Sequence, residues 1–399
     1  MNINEHNEVN ETSSVNVKAK KKGKPKGQLL VAFIFILIGA VCGLLFTRII
    51  DSFSSSLFSG MKGGGALLFA LLIVVMYITM LLHIILHEAG HLLFGLMTGY
   101  RFSSFRIGSL MLVKEDGRLK SKKLKLAGTG GQCLMTPPDM KDGRIPFVIF
   151  NLGGAIVNLL TAAIALVVNY FFSSITLLSS FLLMFAIIGI AFAMTNGIPL
   201  RLGMVDNDGR NAVALGKNPE ALRSFWVQMK VNSETSRGVM LKDMPEEWFS
   251  IPSDEGMRNS MTAVMGVFYC NLLMERRQFE DAERLMTRYI EGETAIVGLH
   301  KGLLVCDLIC CKLLLGRETG QLDRLFNTAQ KKFMKSMKSY PAVVRTEYFL
   351  NKRYKKDEKK ANDAAKLFDK IAKSYPYPVE IENERQLMAL CDADDGGSR

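Results

Sequence analysis

The sequence predicts a polytopic α-helical membrane protein: about four transmembrane helices, a small cytoplasmic β-element and a C-terminal all-α soluble domain. Three observations predict it. Apolar residues are concentrated in the first half of the 399-residue chain, in runs long enough to cross the ~30 Å hydrocarbon core of a bilayer. A basic stretch at 100–144, with short alternating apolar runs, interrupts them. Beyond about residue 212 the chain is charged and helical in pattern. The net charge of +12 does not mark a nucleic-acid binder, because much of it flanks apolar runs, where Lys and Arg set membrane orientation. No nucleic-acid partner is expected. The seven cysteines contain no C-x-x-C pair. Cys310-Cys311 fits helix packing, and the absence of a disulfide pattern fits a reducing cytoplasm.

Residues 1–27 read as a disordered basic N-terminus, with Lys18 to Lys26 as a cytoplasmic anchor. The first span is expected at 29–50. It is longer than a signal-peptide core and no small-residue cleavage site clearly ends it, so it reads as a retained helix. The Ser- and Gly-rich, nearly uncharged loop to Gly65 is expected outside.

The second span, at 66–97, runs inward and contains His87-Glu88-Ala89-Gly90-His91, the pattern H-E-x-x-H. Positions i and i+4 share a helix face, so both imidazoles can reach one ion. Neutral imidazole is a good zinc ligand. Glu88, next to the first ligand, is placed to act on a metal-bound water. Ionisable groups at membrane depth cost roughly 2.5–3.5 kcal/mol each on insertion scales, so this cluster demands a role. His83 lies one turn earlier on the same face and reads as a packing residue or a residue that tunes the site.

This motif within a membrane helix resembles the site-2 protease family of intramembrane zinc proteases. That family carries G-P-x-x-N in a later helix. In the third span, 145–172, Gly154 and Asn158 match its ends, while Ala155 stands where proline is usual. Asn158 either faces the active site or bonds between helices. The family's second signature is an asparagine, a proline three later, then an Asp-Gly that supplies the third metal ligand. After the fourth span, 175–194, Asn196, Pro199 and Asp208-Gly209 follow that order. The spacing is longer than usual and Arg210 replaces a second glycine, which makes Asp206 a rival to Asp208. The following Gly209 favours Asp208.

Between the second and third spans, Phe105-Arg106-Ile107, Leu110 to Val113 and Gln132 to Met135 read as strands. Glu115-Asp116-Gly117 reads as a hairpin turn and Pro137-Pro138 as a stop. The family places a β-element near the cleft, where an unpaired edge can hold an extended substrate. A basic loop lying on lipid headgroups is the alternative. With the N-terminus inside, four spans put 100–144 and everything after Arg201 in the cytoplasm, as the positive-inside rule requires.

Domain boundaries are therefore expected at 1–27, 28–211 and 212–399. In the last part, Val264 to Tyr269 followed by Arg277 to Leu285 resembles one tetratricopeptide unit, and 354–376 a second. The resemblance to site-2 proteases covers about 66–212, with no PDZ-like insertion. It implies a multi-pass protein of a bacterial cell membrane with both termini cytoplasmic. It further implies Zn²⁺ on His87, His91 and Asp208, and Glu88 as catalytic acid–base. Asn158, Asn196 and His83 then surround the substrate or the metal ligands. The expected partners are the bilayer, a transmembrane protein or peptide precursor as substrate, and a cytoplasmic protein on the helical domain. The rival expectation is a catalytically inactive scaffold or immunity-type protein acting through that domain. A third metalloprotease class would need a glutamate ligand, and the later spans offer none at membrane depth.

Overall fold

The computed structural model describes residues 64–393, apart from 116, 125–129, 175, 203–204 and 318, together with the isolated helical positions Ile36, Ala40 and Thr47. The expected N-terminal tail 1–27 and loop 51–63 lie outside the described residues, as does nearly all of the first span at 29–50. Residues 1–47 and 48–399 form two compact units.

The second unit contains three helices long and apolar enough to cross a membrane: α1 (Gly64–Met97), α2 (Phe147–Phe172) and α3 (Thr176–Gly197). They match the second, third and fourth expected spans. Their burial pattern is inverted relative to a water-soluble bundle. Phe69, Tyr77, Leu81, Leu160, Ile164 and Phe171 point outward, whereas Thr79, His83, His87, His91, Asn151 and Asn158 are buried between the helices. Small residues let the backbones meet. A Cβ on Gly90 of α1 would collide with the Gly153 carbonyl of α2. Ala162 and Ala165 of α2 pack on Ala186 of α3.

At 34 residues α1 is about 51 Å long. It ends in a Schellman motif: Gly99 adopts φ +87°, Tyr100 N–H reaches the Gly95 carbonyl and Gly99 N–H that of Leu96. This turn feeds the chain directly into an antiparallel sheet of β1 (Arg101–Ile107), β2 (Leu110–Glu115), β3 (Arg118–Lys123) and β4 (Gly131–Thr136). The strand order is β3-β2-β1-β4, with a register shift between Phe102 and Ser104 in the β1–β4 pair. Three of these strands match the sequence reading. The fourth, β3, is Arg118-Leu119-Lys120-Ser121-Lys122-Lys123, too polar to read as a strand alone. It is an exposed edge held by pairing with β2.

The sheet is a hub. Met111 and Val113 of β2 enter the same core as Val305, Phe349 and Tyr375 of the C-terminal helices. Met135 of β4 packs with Tyr100, Phe150 and Phe225 on the membrane-helix side. The Lys123 N–H donates to the Ser374 carbonyl, tying β3 to the helical region.

After α3, a two-residue hairpin of β5 (Arg201–Leu202) and β6 (Val205–Asp206) leads to α4 (Asp208–Ala214). The expected boundary at residue 212 falls inside α4. The remainder is helical: α5 (Pro219–Ser236), α6 (Ser260–Glu275), α7 (Phe279–Glu291), α8 (Gly298–Leu314), α9 (Thr319–Leu325), α10 (Thr328–Ser336), α11 (Pro341–Phe349), α12 (Glu358–Ala372) and α13 (Pro378–Ala393). The hairpin read at 264–285 is α6–α7, with Arg277 at φ +61° in its turn. Cys310 and Cys311 are buried in the apolar face of α8. The sequence did not announce Arg345, fully buried on α11 and paired with Asp307 of α8 and, at 2.6 Å, Glu384 of α13.

Candidate metal centre

His87 and His91 project from α1 one turn apart, and Asp208 comes to them from the first residue of α4. His87 Nε2 lies 3.1 Å from Asp208 Oδ2 and 3.2 Å from His91 Nε2. His91 Nε2 lies 3.5 Å from Asp208 Oδ2. Four ligand atoms arranged tetrahedrally at 2.0–2.1 Å from zinc stand about 3.3–3.4 Å apart. The three observed separations bracket that spacing.

Hydrogen bonding fixes what each imidazole presents. The His91 Nδ1–H donates to the Phe150 carbonyl at 2.8 Å, so neutral His91 offers a lone pair at Nε2. His87 Nδ1 faces the Asn158 amide at 3.4 Å. A His87 that offers Nε2 to an ion carries its proton on Nδ1, so the matching Asn158 orientation presents Oδ1 as acceptor. That orientation also gives a partner to Asn158 Oδ1, which is otherwise buried and unsatisfied. Gly154, four residues before Asn158, makes room for the ring: a Cβ there would sit 2.5 Å from His87 Nδ1. Both ends of the motif read from α2 therefore meet the same ligand.

Asp208 is held in place by a residue the sequence reading passed over. The Asn207 Oδ1 accepts from Leu200 N–H at 2.9 Å and from Arg210 N–H at 3.0 Å, capping α4. Its Nδ2 donates at 2.7 Å to the carbonyls of both Thr195 and Ile198. One side chain thus stitches the end of α3 to the start of α4. An Asn before Asp-Gly was the available signal. Burial alone would push the Asp208 carboxyl up, but His87 and His91, when they carry a proton on Nε2, hydrogen-bond it and hold it well below the usual carboxylate range.

Asp206 has a different employment. Its carboxylate pairs with Arg210 at 2.9 Å and Arg201 at 3.6 Å, and it is outside the cluster. Asn196 donates to the Phe192 carbonyl of its own helix. His83 donates from Nε2 to the Phe185 carbonyl at 2.8 Å and lies against the Phe185 ring, which ties α1 to α3. Neither Asn196 nor His83 is brought to the cluster.

Glu88 is half-buried beside the three ligands, within electrostatic reach of each, and the Cys133 backbone of β4 lies close to its carboxylate. Gly131 packs on it: a Cβ there would lie 2.7 Å from Oε1. The outer edge of β4 therefore borders the cluster. Two imidazoles and a carboxylate converging on one point, with a second carboxylate beside them, form a set that can hold a metal ion. No family model matches the chain, and no curated protein or solved structure is significantly similar to it.

Proposed function

We propose that this chain is an intramembrane zinc metalloprotease resembling the site-2 family, which hydrolyses a peptide bond of a membrane-embedded protein or precursor peptide. The observation that carries the reading is the convergence of His87, His91 and Asp208 at zinc-like spacing, the histidines on a helix apolar enough to cross a bilayer and Asp208 just beyond another, with Glu88 adjacent. The donor set suits zinc: two nitrogens and one oxygen would hold the ion and would leave room for water or substrate.

When bound, zinc supplies Lewis acidity, which lowers the pKa of water towards ~7 and polarises a carbonyl. The other steps belong to the chain. Glu88 takes the proton of the attacking water and later delivers it to the leaving amine nitrogen. The β4 backbone at Gly131, packed on the Glu88 carboxylate, orients it. Asn158 and the Phe150 carbonyl hold the imidazoles in the tautomers that ligation needs. A helical substrate hides its carbonyls in hydrogen bonds, so it must unwind locally. The half-exposed β4 edge, beside Glu88, offers backbone groups to an extended segment.

In this reading the chain has four spans with both termini in the cytoplasm, and the sheet and helical region lie on that side. A scaffold without catalysis would have no use for a carboxylate poised beside the metal ligands. The test uses a labelled single-span peptide as substrate in detergent or liposomes. Glu88→Gln should keep the metal and abolish cleavage. Cleavage by Glu88→Gln at the original rate would remove Glu88 from the mechanism.

A further inference from the structure

A cleft of about 660 Å³ opens at the far end of the sheet from Glu88. Arg101 of β1, Lys114 of β2 and Arg237 at the end of α5 line it, and among the described residues no Asp or Glu does. Arg237 is paired with Glu234 at 3.0 Å. Neither Arg101 nor Lys114 forms a salt bridge among the described residues; Arg101 feels Asp139 only at longer range, and both cations face the space. Hydroxyls complete the wall. Thr136 Oγ1 bonds Ser233 Oγ at 2.5 Å and Ser103 Oγ bonds Ser236 Oγ at 3.0 Å, which fixes α5 against the sheet and makes the wall rigid.

The placement of this cleft gives it meaning. β4 begins with Gly131 against Glu88 and ends with Thr136 in the cleft wall. Five residues of strand cover about 17 Å. A polypeptide lying extended along β4 has the same rise, so a residue in the cleft is about five residues from one at the metal centre.

We infer that the cleft is a substrate subsite for a carboxylate, either an Asp or Glu side chain or a free C-terminus, about five residues from the scissile bond. The inference rests on the protease reading and specifies its substrate class: membrane-anchored polypeptides with an acidic tail on the side where α1 ends. Arg101 and Lys114 supply attraction, and among the described residues no acidic lining residue opposes it.

The test measures binding, so it does not depend on turnover. Full-length Glu88→Gln protein in detergent is titrated into fluorescent single-span peptides. These differ only in whether an Asp pair, a Ser pair or a Lys pair is walked along the tail. The Asp peptide should bind best at one register, and raised salt should erase its advantage over Ser. Adding Arg101→Gln and Lys114→Gln should weaken the Asp peptide by about tenfold (~1.4 kcal/mol) and leave the Ser peptide unchanged. Equal binding of Asp and Ser peptides at every register would overturn the subsite. So would an Asp advantage insensitive to the double substitution. Preferential binding of inorganic phosphate, or of anionic-lipid vesicles, with no discrimination among peptides would reassign the cleft to phosphate and likewise overturn it. Cleavage of the Ser peptide by the wild-type protein reports on the protease reading separately.

Discussion

His87 and Asp208 stand 121 residues apart in sequence and 3.1 Å apart in space. The contact joins the C-terminal third of one apolar helix to the first residue of a short helix that follows another. It exists because α2 packs glycine-to-glycine on α1, α3 packs alanine-to-alanine on α2, and Asn207 folds the chain back at the end of α3. Each link can be broken separately.

Removing Asn207 should detach Asp208 from the histidines. Asn207→Ala loses the α4 cap, a cost of about 0.5–2 kcal/mol, and also the two bonds to Thr195 and Ile198. Asn207→Asp keeps the acceptor but not the donors, so it should fail as well. Thermal melts and metal titration would register lower stability and weaker metal binding in both. Wild-type metal affinity in Asn207→Ala would show that Asp208 is positioned by other means.

Asn158 sits behind His87, on the side of the ring away from Asp208. Asn158→Leu keeps the branched shape of the side chain and removes the hydrogen bond to Nδ1. Losing such an outer partner typically weakens metal binding 10–100-fold. Competition against a chelator of known affinity would measure it, with unchanged helicity by circular dichroism showing that the helices still pack.

Much of this was legible in sequence because the signals are local. His87 and His91 obey helix spacing, the three apolar runs are long, and Gly154 and Asn158 are one turn apart. Asp208 was favoured over Asp206 by the glycine after it, and the geometry places Asp208 at the cluster while Asp206 pairs with arginines. Asn207, the β4 backbone at Gly131 and the Phe150 carbonyl were not legible, because their roles depend on contacts between distant segments. The polar strand β3 is also a tertiary product, stabilised by its neighbour rather than by its own pattern.

The helical region carries buried charge that its sequence pattern conceals. Arg345 is fully buried between Asp307 and Glu384, whose carboxylates hold its guanidinium protonated. Arg345→Leu leaves two buried acids without a cation and should cost about 3–5 kcal/mol in denaturant unfolding. A loss below ~1 kcal/mol would mean that water reaches the acids.

Glu380 gives the same region a pH dependence. Burial, with repulsion from Glu384 and Glu275, pushes its carboxyl up to about 7 against a hydrogen bond from the Tyr375 hydroxyl at 2.6 Å. A group whose folded pKa lies above its unfolded value binds more protons in the fold, so stability falls as pH rises from about 4.5 to 7. The contribution is on the order of 1–3 kcal/mol. Glu380→Gln should flatten that slope in chemical denaturation curves, and an unchanged slope would assign the effect elsewhere.

A zinc centre completed by Asp208 is tested most directly by metal content per chain in detergent-purified protein. Elemental analysis would compare wild type, Asp208→Ala and Asp206→Ala side by side. One zinc is expected in wild type, one in Asp206→Ala, and loss or marked weakening in Asp208→Ala. Well-folded wild-type protein that binds no zinc even when it is supplied, or zinc lost only with Asp206, would contradict it.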